Sequence, residues 1–428
     1  MDNRPPSRRD RAIWRRLWGL AASIPLPVGQ FFIGAGAPFA AGALILTSRS
    51  PYPVWARRVL LLSIISLLGV GLSALWTGVS PTREILLSLV AVTMYLAALP
   101  RLLRSQSDAA QFIWWLSLSA IVAYLALGTT HEATGLTPWQ ERWKYGLALP
   151  VALIVVATVV RKNRPHVFSA TVLLLLGVLG LSMNFRAQAV ICAGAAMLVL
   201  AKGRKQNRAA FRVGLAASLA AIGIAGFAPG LISSGIFGQN VAMRTIEQDG
   251  DGGNLLLGGR VEPPLSIAAI SARPLLGWGN AQQIDSETLN RGSEIAQAAG
   301  MRSTAAYLPL WIRPDGRISL HSIILGGWAE NGLLAAVMPI GLLTLFVQAA
   351  LRARGRVYPL VAVCAVWGAW DLLFSPWADS RGIFMAAFAV LAAWSIPKSG
   401  PQEADELGTK ASSKVGVVHR RERGGVDF

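Results

Sequence analysis

Charge is what this chain has least of. Asp, Glu, Lys and Arg make up 14% of its 428 residues, where a soluble protein of that length would carry roughly 25%. That deficit argues against an ordinary soluble domain. Cysteine is nearly absent: Cys192 and Cys364 both sit inside apolar runs, so a disulfide framework is not expected. Four scattered histidines are too few for a metal cluster. No phosphate-binding glycine-rich loop and no dinucleotide fingerprint occurs, so neither cofactor nor metal is expected. Lysine is the scarcer cation, seven residues among the 40 basic ones, and none lies between Ser233 and Leu320.

Apolar sequence fills the rest. Hydrophobic residues reach 53%, and runs of 16 to 20 of them recur, long enough for helices that cross a bilayer. The expectation is an all-α polytopic membrane protein. Spans read near 59–76, 84–100, 110–128, 145–161, 166–184, 187–202 and 211–229, then 321–350, 357–374 and 380–396. The stretch 17–47, broken by Pro25, Pro27 and Pro38, reads as one tilted helix or as a hairpin of two short ones. Charge chooses the hairpin. Arg4, Arg8, Arg9, Arg11, Arg15 and Arg16 hold the N-terminus in the cytoplasm, and Arg49, Arg57 and Arg58 seek the same side. About twelve spans follow, with 28 basic residues inside, 12 outside, and Lys144 the lone lysine outside. This bias accounts for the net charge of +18. No aromatic–basic interleaving supports nucleic-acid binding.

The organisation read from this is a basic cytoplasmic N-terminus over 1–16 and a bundle of about nine helices over 17–229. A large extracytoplasmic loop covers 230–320, three helices cover 321–397, and 398–428 is a disordered cytoplasmic tail. No small-residue cleavage pattern follows the first apolar stretch, so it reads as an anchor.

The loop is the one long polar interruption. From about Ser233 to Leu320 it holds seven arginines and eight acidic residues. Loops held by a rigid scaffold carry function, and the arginine fork suits bidentate phosphate contacts. Singly, each arginine reads as a solvated surface group; seven without a lysine favour an anion. Arg260 follows two glycines, and Arg273-Pro274-Leu275-Leu276-Gly277-Trp278-Gly279 reads as a tight turn with close backbone approach. The interruption ends at His321. Imidazole suits general-base work, although a histidine at a helix start is commonly a cap or packing residue, with Ser319 and Ser322 nearby. The apolar run from His321 to Leu351 would span roughly 46 Å as a helix, against a hydrocarbon core of about 30 Å. It contains Glu330-Asn331-Gly332 and Pro339, and is expected to start in the outer compartment or a recess and then kink. Outside the loop, Arg186 sits in an outer turn, Asn184-Phe185-Arg186-Ala187-Gln188, against the charge bias. It reads as an anion ligand or as a snorkelling interface arginine. Asp371, Asp379 and Arg381 are further candidates near the outer ends of the last spans. Arg83 and Glu84 read as a helix start.

In this order the pieces resemble the O-antigen ligase and polymerase superfamily. Leu72-Ser73-Ala74-Leu75-Trp76-Thr77-Gly78-Val79-Ser80-Pro81 resembles its early Ser, Trp-Ser and Pro stretch. Asn184-Phe185-Arg186-Ala187 resembles its Ser-Arg-Gly turn, with Phe185 and Ala187 in place of Ser and Gly. Arg260 and Arg273–Gly279 resemble its Arg and Pro-Leu-Leu-Gly-Val-Gly elements. Leu320-His321-Ser322 and Glu330-Asn331-Gly332-Leu333-Leu334 resemble its His-Asn and Glu-x-Gly-Leu-Leu-Gly elements, with Ser322 for a frequent Asn. The resemblance covers about 60–350 and implies a GT-C-like bundle in the bacterial inner membrane. It implies transfer of a glycan from an undecaprenyl-diphosphate carrier to an acceptor hydroxyl, on a glycan or a lipid, without a metal. Arg186 and Arg260 would neutralise the diphosphate and His321 would take or orient the acceptor proton. Arg273, Trp278, Glu330 and Arg381 would bind diphosphate or glycan. An outer compartment lacks ATP and nucleotide sugars, so the substrate must arrive activated. A flippase or transporter of a lipid-linked polar substrate is the alternative, and would put charge at mid-membrane depth. A related peptidoglycan polymerase would prefer an acidic residue to His321.

Overall fold

The computed structural model describes residues 8–22, 24–28, 31–34, 36–46, 52–127, 136–203, 262–298, 311–312, 318, 320–377 and 379–397. In chain order these form α1 (Arg8–Ala21), β1 (Pro25–Val28), β2 (Phe31–Gly34), α2 (Gly36–Leu46), α3 (Val54–Thr77), α4 (Arg83–Leu102) and α5 (Gln106–Leu127). Next come α6 (Pro138–Arg161), α7 (His166–Ser182) and α8 (Arg186–Gly203). After the undescribed segment come α9 (Glu262–Ala272), α10 (Ser286–Ala298), α11 (Ile323–Arg352), α12 (Tyr358–Phe374) and α13 (Asp379–Ser395).

The chain is a helical membrane protein. Among the described residues five helices, α3, α4, α5, α6 and α11, are long and apolar enough to cross a membrane. Five shorter apolar helices accompany them: α2, α7, α9, α12 and α13. The span expected at 211–229 lies outside the described residues. Over 17–47 the chain turns back on itself in two short helices, as the hairpin reading has it, but the first starts at Arg8 and ends at Ala21, and an antiparallel pair with Pro25 opposite Gly34 separates it from α2. Pro25 and Pro27 give up amide hydrogens that a helix would need. A two-stranded ribbon tolerates that loss. α1 lies along α5, with Trp18 edge-on to Phe112. α2 returns beside it, with Gly42 against the Trp14 ring.

Contacts between helix ends sort the bundle into two faces. At one face the Tyr52 hydroxyl donates to the carbonyls of Leu96 and Ala97, and the Arg101 guanidinium covers its ring at 4.9 Å. There too Arg15 pairs with Asp108, Arg356 donates to the carbonyls of Val160 and Arg161, and Lys202 donates to Leu351 O. These are the segments whose arginines and lysines the charge bias groups together. At the opposite face lie Thr77, the start of α6, the α7–α8 corner and the turn 273–279. Gly203 and Gly279 therefore lie at opposite ends of the bundle.

Small residues let the helices close up, as they must where lipid gives no hydrophobic drive. Along α3, Ser66, Gly69, Ser73 and Thr77 recur at helical spacing; Ser66 and Gly69 meet α11 and Thr77 meets Gly279. The Ser66 hydroxyl donates to Leu334 O and accepts from Met338 N at 2.9 Å, just before Pro339. A Cβ on Gly69 would sit 2.6 Å from Leu334 Cβ.

Candidate functional site

The corner between α7 and α8 carries Arg186. α7 closes with two backbone bonds: Phe185 N–H donates to Gly180 O at 2.8 Å, and Asn184 N–H to Leu181 O at 3.0 Å. This is the glycine-type helix stop, here with Asn184 in the left-handed conformation at φ 55. Two residues later α8 begins, so the half-buried Arg186 stands in its first turn, where free amides and the helix dipole favour anions. The Gln188 side chain turns back against α7; a Cβ on Gly180 would lie 2.8 Å from its Oε1. That oxygen accepts from the Trp143 indole at 2.7 Å. Trp143 opens a π-helical turn, Trp143–Leu147, inside α6, a distortion common at functional sites. Neither Asn184 Nδ2 nor Gln188 Nε2 has a hydrogen-bond partner, although Asn184 is 8% and Gln188 0% exposed.

His321 sits in a second cluster. Ser322 caps α11, accepting from Leu325 N at 3.0 Å, and its hydroxyl donates to Leu372 O at 3.3 Å. His321, half-buried, therefore enters beside the last turn of α12. Asp371, one residue from Leu372, is buried. Its Oδ1 accepts from the Ser375 hydroxyl at 2.8 Å and faces Arg381 Nε at 3.5 Å. A buried carboxylate needs such partners. Arg381 also donates to Pro376 O. This cluster is recessed. Beside Arg381, a Cβ on Gly382 would lie 3.0 Å from Val92, and Val92 stands about 15 Å along α4 from Leu102. The two clusters share α12: the Phe185 ring meets Trp367 edge-on at 6.4 Å, one turn before Asp371.

The turn 273–279 holds the broken start of α11. Gly332 has φ 80 and ψ 177 in the midst of the helix, so the kink falls there. Trp278 N–H and Gly279 N–H donate to Ala329 O and Glu330 O, while Leu333 N–H reaches Pro274 O and Leu275 O. No side chain fits between these backbones. A Cβ on Gly332 would stand 2.1 Å from Leu275 O, and one on Gly277 2.5 Å from Glu330 O. Trp278 is 3% exposed, donates to Ala269 O at 3.1 Å, and carries the exposed Arg273 guanidinium 3.9 Å above its ring. It is therefore part of the loop core with Leu265, Ala296 and Trp311. Glu330 is buried beside the break. Arg260 lies outside the described residues.

Of the residues singled out in the sequence, Arg186 follows Phe185, which meets α12 at Trp367, while His321 and Arg381 lie by its last turn at Leu372 and Asp371. Arg273, Trp278 and Glu330 gather at the α11 break. Sequence reading passed over Trp143 and quoted Gln188 only as part of a turn. Their contact joins residues 45 apart and leaves no local signal. Among the described residues no group of three or more His, Cys, Asp or Glu could hold a metal ion. No protein-family model matches the chain, and no curated protein matches it.

Proposed function

We propose that this chain is an integral-membrane glycosyltransferase that moves a glycan from an undecaprenyl-diphosphate carrier to an acceptor hydroxyl, as an O-antigen ligase or polysaccharide polymerase does. The observation that carries the reading is that two charged clusters both pack against the outer half of α12. One has the Arg186 corner for an anion, the other His321 with Asp371 and Arg381. Positive charge fixed where a diphosphate leaves stabilises the departing group without reorganisation. A histidine within reach of the acceptor hydroxyl takes its proton as the glycosidic bond forms. The topology that goes with this proposal has about twelve spans in a GT-C-like bundle, with the basic face cytoplasmic and the 273–279 turn extracytoplasmic in a bacterial inner membrane. The test is glycan transfer by purified protein from an undecaprenyl-diphosphate-linked donor. Arg186→Ala and His321→Ala are each expected to lower kcat/KM by roughly a hundredfold or more, the scale of one lost electrostatic or acid–base group. Wild-type transfer in both variants sinks the proposal.

A second reading, a transporter of a lipid-linked polar substrate, gains from two observations. The Asp371–Arg381 pair lies beside the middle of α4, and α11 is discontinuous, as helices around transporter sites are. Vesicles loaded with the lipid-linked glycan separate the two: movement without covalent change favours transport, and a new glycosidic product favours transfer.

A further inference from the structure

We propose that Gln188 and Asn184 are diphosphate-binding residues, two amide donors that complete an anion cradle at the α7–α8 corner. The indole of Trp143 can only donate. Its 2.7 Å bond to Gln188 therefore fixes which end of the amide is oxygen. The NH2 end is left over, wholly buried and without a partner. Helical side chains lean towards the N-terminus of their helix, and this one packs on Gly180, the residue whose carbonyl closes the corner. The amide thus lies in the angle where α8 begins.

Asn184 supplies the second donor. Its left-handed backbone alone explains an asparagine or glycine at that position, but not a buried Nδ2 with no acceptor. Buried donors are nearly always satisfied by protein, water or ligand. Here two of them flank an arginine at the start of an 18-residue helix. Amide N–H2 groups, a guanidinium and free helix amides are all donors. That set matches the many acceptor oxygens of a phosphate or diphosphate. Neutral donors add contacts without adding a charge that would trap the product. The identity of the anion as a lipid diphosphate rests on the glycosyl-transfer reading; the cradle does not.

Inorganic pyrophosphate titrated into the full chain in detergent tests this, with undecaprenyl diphosphate in micelles as a second arm. Gln188→Glu keeps an acceptor for Trp143 and puts an anion where the NH2 stood. Asn184→Gly keeps the turn and loses the amide. Each is expected to weaken binding roughly ten- to a hundredfold, the scale of one bond to a charged group, while the thermal midpoint without ligand stays near wild type. Binding of both probes, or of the lipid alone, supports the cradle and tells a soluble from a membrane-borne anion. Absence of binding by wild type, or unchanged binding in both folded variants, overturns it. Unchanged binding beside Arg186-dependent glycan transfer would sink the cradle alone. Amide-dependent binding without any transfer would sink the transferase alone.

Discussion

Asp285 does for α10 what a side chain can do at a helix start. Its Oδ1 accepts from Thr288 N–H at 2.8 Å, filling one of the orphan donors of the first turn. That bond, and next the Thr288 side chain, hold its carboxyl below the usual carboxylate range, with Arg273 helping. The sign follows directly. A folded-state value below the unfolded one stabilises above the unfolded value, near 4, and the gain is lost as pH falls through the folded value. Asp285→Ala is expected to cost about 1 kcal/mol of local stability near neutral pH. Hydrogen exchange of the first-turn amides of α10 measures it: faster in the variant near pH 7, with the gap closing as pH falls below about 4. A gap that persists in acid would mean the cap bond is not the cause. Asp285 was not singled out in the sequence, although a cap and its amide are neighbours there. Arg186 stood out in sequence as an arginine against the charge bias. Gln188 did not, because its partner Trp143 is on a different helix.

At the scale of the element, length and proline carried information unequally. The excess length of the His321–Leu351 run required a break, and the chain has one. Its place at Gly332 and not at Pro339 follows from the backbone clamp of 273–279, which sequence cannot display. Over 17–47 charge chose the hairpin and two short helices do turn back on each other, yet the ribbon 25–34 between them is too short for any alternation to register. The clamp makes a sharp prediction. Gly332 adopts a backbone conformation that costs other residues about 1–3 kcal/mol, and a Cβ there meets a carbonyl at 2.1 Å. Gly332→Ala is therefore expected to lower the thermal midpoint in detergent and to weaken glycan transfer. Gly327, in the same helix with nothing within 4 Å of its Cβ position, is the control: Gly327→Ala should hold or gain up to about 1 kcal/mol. Equal melting of the two variants would remove the clamp from the account of α11.

The whole molecule is organised by sidedness. Basic residues spread over the length of the chain meet at one face of the bundle, through Arg101, Arg161, Lys202 and Arg356. The turn that pins α11 sits at the other. Charge bias made that grouping readable before any helix was placed, because the rule acts on connections and needs no knowledge of packing. Depth was not readable: Arg381, paired with Asp371, looks terminal in sequence, yet its neighbour Gly382 packs against Val92 at the middle of α4. Cysteine labelling tests the sidedness. Cys192 and Cys364 are buried, so the native chain should give little background with a membrane-impermeant thiol reagent. Leu275, 69% exposed, lies at the clamp face, and the exposed Arg354 lies at the basic face. In sealed, oriented vesicles Leu275→Cys should react from the extracytoplasmic side only and Arg354→Cys from the cytoplasmic side only. Labelling of both from one side would break the two-face arrangement. It would also separate the α7–α8 corner from the side on which the proposed substrate is delivered.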